Sequence, residues 1–542
     1  MKINEIYEAK VTGVNNFGNG ICRIPSANDG RESTVFVPHT YGGDVIKLKI
    51  TDVTSSLILG AAIEFVEKSS NRNESDCPVF SVCGGCDFRD ITYAHELEMK
   101  KSFVISALRR NGFSRDSAID VAGIVSSGEV CGYRSKLIVR TNVYGRGYYK
   151  KSSYDTAHHT RCLLHPPNLD EIAGEAHRIL ADFGVSMYDE KTDSGTLRGL
   201  YIREARSTGD VMLCTILRNE KVPCLPAFAS EITAEFPDIK SVFANLNDRR
   251  TNVALGNNFM KIHGTDYIED IICGLRFRIS PQSFYQVNHG AAEILYGLAL
   301  DAIEQNADSP KVIADLYCGT GTMGIMCAKR FPAARVVGVE IVEDAVADAV
   351  YNAKLNGLAN VEFVCGDAEE FREDADVVII DPPRKGCSPG MIGKLLELSP
   401  ERIVYISCNP ETMARDARRL CEDGYRVTSV VPVDLFPRTV HVETVVLLSK
   451  LKSTTSIEVK IDLDEVDLTK SESKATYDEI KAYVLEQTGL KVSQFYVAQV
   501  KRKHGIIERE NYNTGDGKAK TPQVPLEKEK AIEIALRYFQ MI

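Results

Sequence analysis

From Lys311 onward, short apolar runs alternate with helical stretches, and no other feature of the sequence restricts the fold as much. The runs lie at 312–316, 335–339, 361–364, 376–380 and 402–406, and a last one at 442–448 closes the series. Strands joined through helices run parallel, and a parallel sheet needs helices on both faces. The expectation is a doubly wound, Rossmann-like α/β domain over residues 291–450. A chain of 542 residues is several times longer than one such domain, so further domains must flank it.

Residues 1–68 alternate apolar and polar positions in five stretches, at 6–11, 20–24, 34–37, 44–50 and 62–66, between Gly-rich breaks. Five short strands with tight turns predict a small OB-like β-barrel, used either to bind nucleic acid or only for packing. Residues 69–290 read as a central α+β domain. It contains a helix over 93–110 whose apolar side includes Leu97, Phe103, Val104, Ala107 and Leu108, with Lys100, Lys101, Arg109 and Arg110 on the remaining face. A charged linker over 451–474 leads to an extension at 475–542. There Thr476 and Glu479 form a capping box, Gly489 breaks the helix, and a second helix over 493–504 ends at Gly505. The pair is helix-turn-helix-like, and Lys491, Lys501, Arg502 and Lys503 give it a basic second half that suits either nucleic acid or a solvated face.

The strand ends of the α/β domain carry the chemistry. The first runs into Asp315-Leu316-Tyr317-Cys318-Gly319-Thr320-Gly321, where glycines let backbone N–H groups approach a ligand in the crevice at the carboxyl ends of the strands. Glu340 ends the second strand, about 20 residues on, where a carboxylate can accept from both ribose hydroxyls. Gly366-Asp367 follows the third and Asp381-Pro382-Pro383-Arg384 the fourth. The glycine spacing alone also suits a dinucleotide dehydrogenase. With the following Glu it resembles class I S-adenosylmethionine-dependent methyltransferases, and the Asp-Pro-Pro turn resembles those that methylate nitrogen or carbon of planar substrates. After the fifth strand, Cys408 stands before Asn409-Pro410, where a helix N-terminus can stabilise a thiolate. Glu443 opens the closing run. A nucleophilic thiolate and a base are the two parts needed to methylate carbon-5 of a pyrimidine, because that carbon is inert until carbon-6 has been attacked.

The N-terminus lacks the apolar run of a signal peptide and no stretch is long and apolar enough for a membrane span, so a cytoplasmic protein that engages no membrane is expected. In a reducing compartment the 15 cysteines sort into packed residues, metal ligands and nucleophiles. Cys77, Cys83 and Cys86 place three thiols within ten residues, a spacing for zinc or an iron–sulfur cluster, with Cys131 or Cys162 available as a fourth ligand.

Taken together, these residues resemble the RNA uridine-5-methyltransferases, in the iron–sulfur branch that modifies large-subunit ribosomal RNA. The likeness covers roughly residues 1–450. It rests on a TRAM-type barrel, the Cys-x5-Cys-x2-Cys motif, Phe284-Tyr285-Gln286-Val287-Asn288, the strand-end motifs above, Ser407-Cys408-Asn409-Pro410 and His441-Val442-Glu443. It implies a [4Fe–4S] cluster on Cys77, Cys83, Cys86 and Cys162. It also implies S-adenosylmethionine contacts from Gln286, Tyr317, Glu340 and Asp381, with Asp367 on the adenine side, and Cys408 as nucleophile with Glu443 as base. The expected partner is RNA, ribosomal in preference to transfer RNA, bound by a monomer. A net charge of −10 requires that RNA contact be local, at the barrel, the 97–110 helix and the 491–504 stretch. The rivals are methylation of a nitrogen, which needs no nucleophilic cysteine, and a silent RNA-binding regulator. The barrel departs from the family's usual turn, with Thr40-Tyr41-Gly42-Gly43-Asp44 in its place, and the C-terminal extension lies outside the family core.

Overall fold

The alternating runs after Lys311 pair into one eight-stranded sheet, in the order Val361–Cys365, Arg335–Glu340, Val312–Leu316, Val377–Ile380, Arg402–Ser407, Glu443–Lys450, Tyr425–Asp434, Val125–Ser126. The computed structural model describes residues 1–25, 32–113, 119, 121–151, 153–219, 221–250, 253–305, 309–451, 477–488, 490, 492–504, 524 and 526–538. It divides into two compact units, Met1–Ser453 and Thr454–Ile542. The first five strands of the sheet are parallel, whereas Glu443–Lys450 runs antiparallel to both its neighbours. Both faces are covered, which is why Val377–Ile380 and Arg402–Ser407 are buried at every residue and read as continuous apolar runs. One face packs on the helices His289–Glu304 and Thr322–Arg330, the other on Tyr93–Arg110, Pro389–Leu398 and Pro410–Glu422. The chain builds outward from Val312–Leu316 to the edge, then returns to its other side with Val377–Ile380. Strand order reverses there, and a crevice opens at the carboxyl ends of those two strands.

Two parts of this layer were not legible as such. Val125–Ser126 joins Tyr425–Asp434, and Val104, Ala107 and Leu108 of the helix Tyr93–Arg110 share a core with Ile403 and Val446. Residues assigned by sequence to the central domain therefore pack on the α/β sheet. The basic face of that helix is also corrected. Lys100 is fully buried, with Nζ 2.9 Å from Glu96 and 2.6 Å from Asp434, and Arg110 pairs with Glu411. It is a buried ionic tether and not an RNA-binding surface at that residue.

The five N-terminal runs form a closed barrel as expected: Ile6–Val14, Asn19–Pro25, Glu32–Pro38, Ile58–Glu67 and Val45–Val53 in order around it. Its inward positions, among them Val11, Cys22, Val35, Val37, Ile46, Leu48 and Ile50, are the buried half of the alternation. The divergent turn 40–44 is a structural anchor. Buried Asp44 accepts from the N–H groups of Tyr41 and Ser69 (2.7 and 2.9 Å) and from Arg72 Nε and Nη2 (2.9 and 2.8 Å).

The central region is a seven-stranded sheet of Asn258–Gly264, Ile239–Leu246, Val211–Leu217, Leu197–Glu204, Lys136–Asn142, Gly145–Tyr149 and Thr156–His158, with Pro167–Asp182 and Leu225–Glu235 packed against it. Leu197–Glu204 and Val211–Leu217 are buried on both faces, so they show no alternation.

In the C-terminal unit, Tyr477–Thr488, Gln494–Lys503 and a third helix, Leu526–Tyr538, enclose Ile480, Val484, Val497, Val500, Ile532, Ala535 and Leu536. The third helix changes the reading of the basic stretch. Lys501 is buried, Lys503 pairs with Glu529, and His504 Nε2 lies 2.9 Å from Glu533. Thr476, Gly489, Lys491, Gly505 and the linker over 452–474 lie outside the described residues. Among the described residues no helix is long and apolar enough to cross a membrane.

Candidate active site

The crevice is shaped first by Asp315, buried at the end of its strand, whose Oδ2 accepts from the N–H of Gly324 at 2.7 Å. That bond pins the start of the helix Thr322–Arg330 and forces the intervening loop into a tight turn. Tyr317, Gly319 and Gly321 all take positive φ, of 72°, 54° and 80°. A Cβ at Gly321 would sit 2.6 Å from Phe363 and 2.8 Å from Ala349, so both space and backbone demand glycine. Tyr317 holds its left-handed conformation because its N–H and that of Cys318 both donate to Val339 O, at 3.0 and 3.1 Å. Glu340 accepts from Gly319 N–H at 3.1 Å and Val342 N–H at 2.9 Å, which leaves it lone pairs to accept further hydrogen bonds. Asp367 is exposed at the end of the third strand and caps the turn Ala368–Glu370 through Glu369 N–H at 3.0 Å.

Gln286 is buried in the segment before the helix His289–Glu304. Its neighbours fix it. Val287 O accepts from Ser135 N–H at 2.8 Å, while Asn288 caps the helix through Ala291 N–H at 3.2 Å and donates Nδ2 to Leu435 O at 3.0 Å.

Strand register brings the catalytic candidates together. Ser407 pairs with Thr444 across the antiparallel ladder, so the next residue on each strand, Cys408 and Glu443, stand side by side at the carboxyl edge. Asn409 caps the following helix through Glu411 N–H at 3.1 Å and donates Nδ2 to Arg384 O at 2.9 Å, tying the Asp-Pro-Pro turn to the nucleophile's loop. Half-buried Cys408 is pushed up to about 11 by burial and then by the charges of Glu443 and Asp381, against the pull of Arg384. The expected thiolate stabilisation at the helix N-terminus is outweighed, and the group rests as a thiol. Glu443 is buried and pushed up to about 8 by burial and by Asp381, with Arg384 again opposing. Asp381 is crowded by protein yet open to water at its side-chain surface; the crowding pushes its carboxyl up, and the water tempers the push. Burial also lowers His441, to about 4, so its imidazole is neutral and lies 3.4 Å from Arg384 Nη2. Arg384 is the residue that sequence reasoning quoted without a role. It is the cation whose field reaches both Cys408 and Glu443.

Away from this crevice, Cys77, Cys83, Cys86 and Cys162 line one cavity of about 220 Å³, together with Arg89, Arg134 and Lys136. Cys131 does not line it; its Sγ accepts from Arg89 Nη2 at 3.3 Å. Burial pushes Cys86 up to about 12 and Cys162 up to about 11. Among the described residues, no group of three or more His, Cys, Asp or Glu side chains converges on a single metal position.

The methyltransferase domain family matches residues 307–479. A protein of Halalkalibacterium halodurans named as an uncharacterized RNA methyltransferase is 35% identical over 82% of this chain and 97% of its own length. Proteins of Clostridium acetobutylicum and Caldanaerobacter subterraneus named in the same way are 35% and 36% identical over 83% of this chain, and 98% and 99% of theirs. Among solved structures, the Pyrococcus abyssi tRNA (uracil-54, C5)-methyltransferase in complex with S-adenosyl-L-homocysteine matches 81% of this chain and 99% of its own, at 27% identity and a TM-score of 0.65. A class I sheet with a glycine-turned loop and a ribose-type carboxylate fits S-adenosylmethionine, and with relatives matched over nearly their whole length the chain belongs to the S-adenosylmethionine-dependent RNA methyltransferases.

Proposed function

We propose that the protein methylates carbon-5 of uridine in RNA. The observation that carries this reading is the ladder register that sets Cys408 beside Glu443, with Asp381 and Arg384 around them. Methylation of a nitrogen needs no such thiol.

The target uridine leaves its stack to enter the crevice. Cys408 loses its proton to water, which reaches the half-exposed Sγ, and the sulfur bonds to carbon-6 while Arg384 favours the developing anion. The electrons move to carbon-5, which bonds to the methyl carbon as the methyl–sulfonium bond breaks. Glu443 takes the proton from carbon-5. The carbon-5 to carbon-6 double bond re-forms, and Cys408 leaves as a thiolate. A buried carboxyl near 8 suits a base working at neutral pH, because it is basic enough to accept the proton and still partly ionised. In this reading Glu340 and Asp367 take the ribose and adenine of S-adenosylmethionine, Tyr317 and the glycine loop permit its close approach, and Gln286 and Asp381 line the region between methyl donor and uracil.

A [4Fe–4S] cluster is supported by the four thiols of Cys77, Cys83, Cys86 and Cys162 around one cavity and by the surrounding cations, which suit an anionic group. When bound it supplies a cross-link between the 77–86 segment and Cys162; the methyl transfer itself moves no net electrons. Anaerobically purified protein should be brown, with iron and sulfide in equal amounts, and a zinc-only content refutes the cluster.

Ribosomal RNA is the substrate class implied by the resemblance to the iron–sulfur branch, with the barrel as its docking module. Transfer RNA is the second reading, favoured by the likeness to the Pyrococcus abyssi enzyme. Labelled S-adenosylmethionine incubated with RNA from a deletion strain, followed by fractionation, separates them. Cys408→Ala should abolish label transfer while S-adenosylmethionine still binds. Glu443→Gln should leave protein and RNA joined in a denaturation-resistant band, and turnover by Cys408→Ala excludes the covalent route.

A further inference from the structure

Among the described residues of the barrel, Phe17 is the most exposed aromatic ring, and its turn packs on the loop that leads to Glu443. The turn between Ile6–Val14 and Asn19–Pro25 is fixed by Asn15: its Oδ1 accepts from the N–H groups of Phe17 and Asn19, both at 3.0 Å, its carbonyl accepts from Gly18 N–H at 3.0 Å, and its own N–H donates to Asn19 O at 2.9 Å. Gly18, at φ 78°, is clamped against the loop that leads into the catalytic strand. A Cβ there would lie 3.0 Å from Val440 Cγ1 and 3.6 Å from Asp87 Cβ. Val440 is three residues before Glu443, and its N–H donates to Asp87 Oδ2 at 3.3 Å.

The barrel cannot drift from this position. Val14 and Tyr41 share a core with Phe88, Ile91, Met99 and Phe103, against which Val440 packs, and Tyr41 Oη donates to Asp87 O at 2.9 Å. Out of this rigid turn Phe17 projects, 71% exposed. A single exposed aromatic is ordinary on a protein surface. This one is set on a turn that is packed against the loop carrying the proposed base, with Lys151 held at the same edge by Asp87 at 3.3 Å.

We propose that Phe17 is a stacking platform for the nucleobase adjacent to the target uridine, an inference that rests on the RNA reading above. When a base is extruded, its neighbour loses one stacked face to water. A ring held at the mouth of the crevice replaces that face, as apolar wedges do where proteins open base steps, and Lys151 supplies a cation for the flanking phosphate. The contact is indifferent to base identity, because every base has a π-face, so it assists extrusion and leaves sequence choice to other residues.

The test measures methyl transfer from labelled S-adenosylmethionine to total RNA of a deletion strain, using the full chain and Phe17→Ala, Phe17→Leu and Phe17→Tyr. All three should fold with unchanged Tm, since the ring is exposed. Phe17→Ala should lower kcat/KM for RNA by about 5- to 100-fold with KM for S-adenosylmethionine unchanged, Phe17→Tyr should restore it, and Phe17→Leu should not. An unaffected Phe17→Ala variant, or rescue by Leu equal to that by Tyr, overturns the stacking role while the RNA reading stands. A wild-type protein that methylates no RNA overturns both.

Discussion

At the residue scale, the active site is a balance of charges around a thiol. Cys408, Glu443 and Asp381 are all held in their protonated forms more firmly than in water, and Arg384 opposes this at Cys408 and at Glu443. In the proposed mechanism, Glu443 works as a base only when ionised. With Glu443 raised to about 8 and the Cys408 thiol to about 11, the rate should climb steeply with pH up to about 8 and more gently above it, where only the thiolate fraction still grows. Replacing Arg384 by Met removes the field that lowers both Glu443 and Cys408. The rising limb should then move to higher pH and kcat should fall by about 10-fold or more, measured as a pH–rate profile. An unmoved limb would mean that Arg384 serves only as a scaffold. Cys408 and Glu443 could be named from sequence because each sits at a strand end within a motif. Arg384's reach to them could not, since Arg384 and Glu443 are about 60 residues apart and come together only at the carboxyl edge of the sheet, across the strand Arg402–Ser407.

At the element scale, the helix Tyr93–Arg110 shows what pattern alone cannot say. Its apolar spacing predicts the helix correctly, but Lys100, expected on the basic face, is buried, whereas Arg109 and Arg110 are exposed. Lys100 reaches into the core, where Nζ also donates to Phe436 O at 3.0 Å, Tyr93 Oη donates to Asp434 at 2.7 Å, and Glu96 accepts from Arg438 N–H at 2.7 Å. These bonds clamp the loop from Asp434 to Arg438, which leads to Glu443. Lys100→Met would leave Glu96 and Asp434 facing each other without their shared cation. The variant should lose about 3–5 kcal/mol of stability in a denaturant titration, the usual cost of breaking a buried ion pair from one side. A loss below about 1 kcal/mol would show that the clamp contributes nothing.

At the scale of the whole molecule, the chain is longer than the relatives it matches. The relatives are matched over 97% to 99% of their length by 82% to 83% of this chain, and the unit Thr454–Ile542 has its own small core of three helices. A chain ending at Ser453 should therefore keep its Tm and its methyl transfer to bulk RNA within about 2-fold, and collapse of either would place the extension inside the working enzyme. The sequence by itself determined the closed barrel and the parallel sheet and pointed to the chemistry proposed at its strand ends, because those depend on local period, on glycine at positive φ, and on the few side-chain types that can add to a pyrimidine or accept its proton. Only the tertiary structure decided which lysines meet water, that Tyr93–Arg110 and Val125–Ser126 belong to the α/β layer, that Cys162 and not Cys131 shares a cavity with Cys77, Cys83 and Cys86, and that a barrel turn packs on the loop before Glu443. Each of these is a contact between residues far apart in the chain, and hydrophobic period carries no information about which distant surface a face will meet.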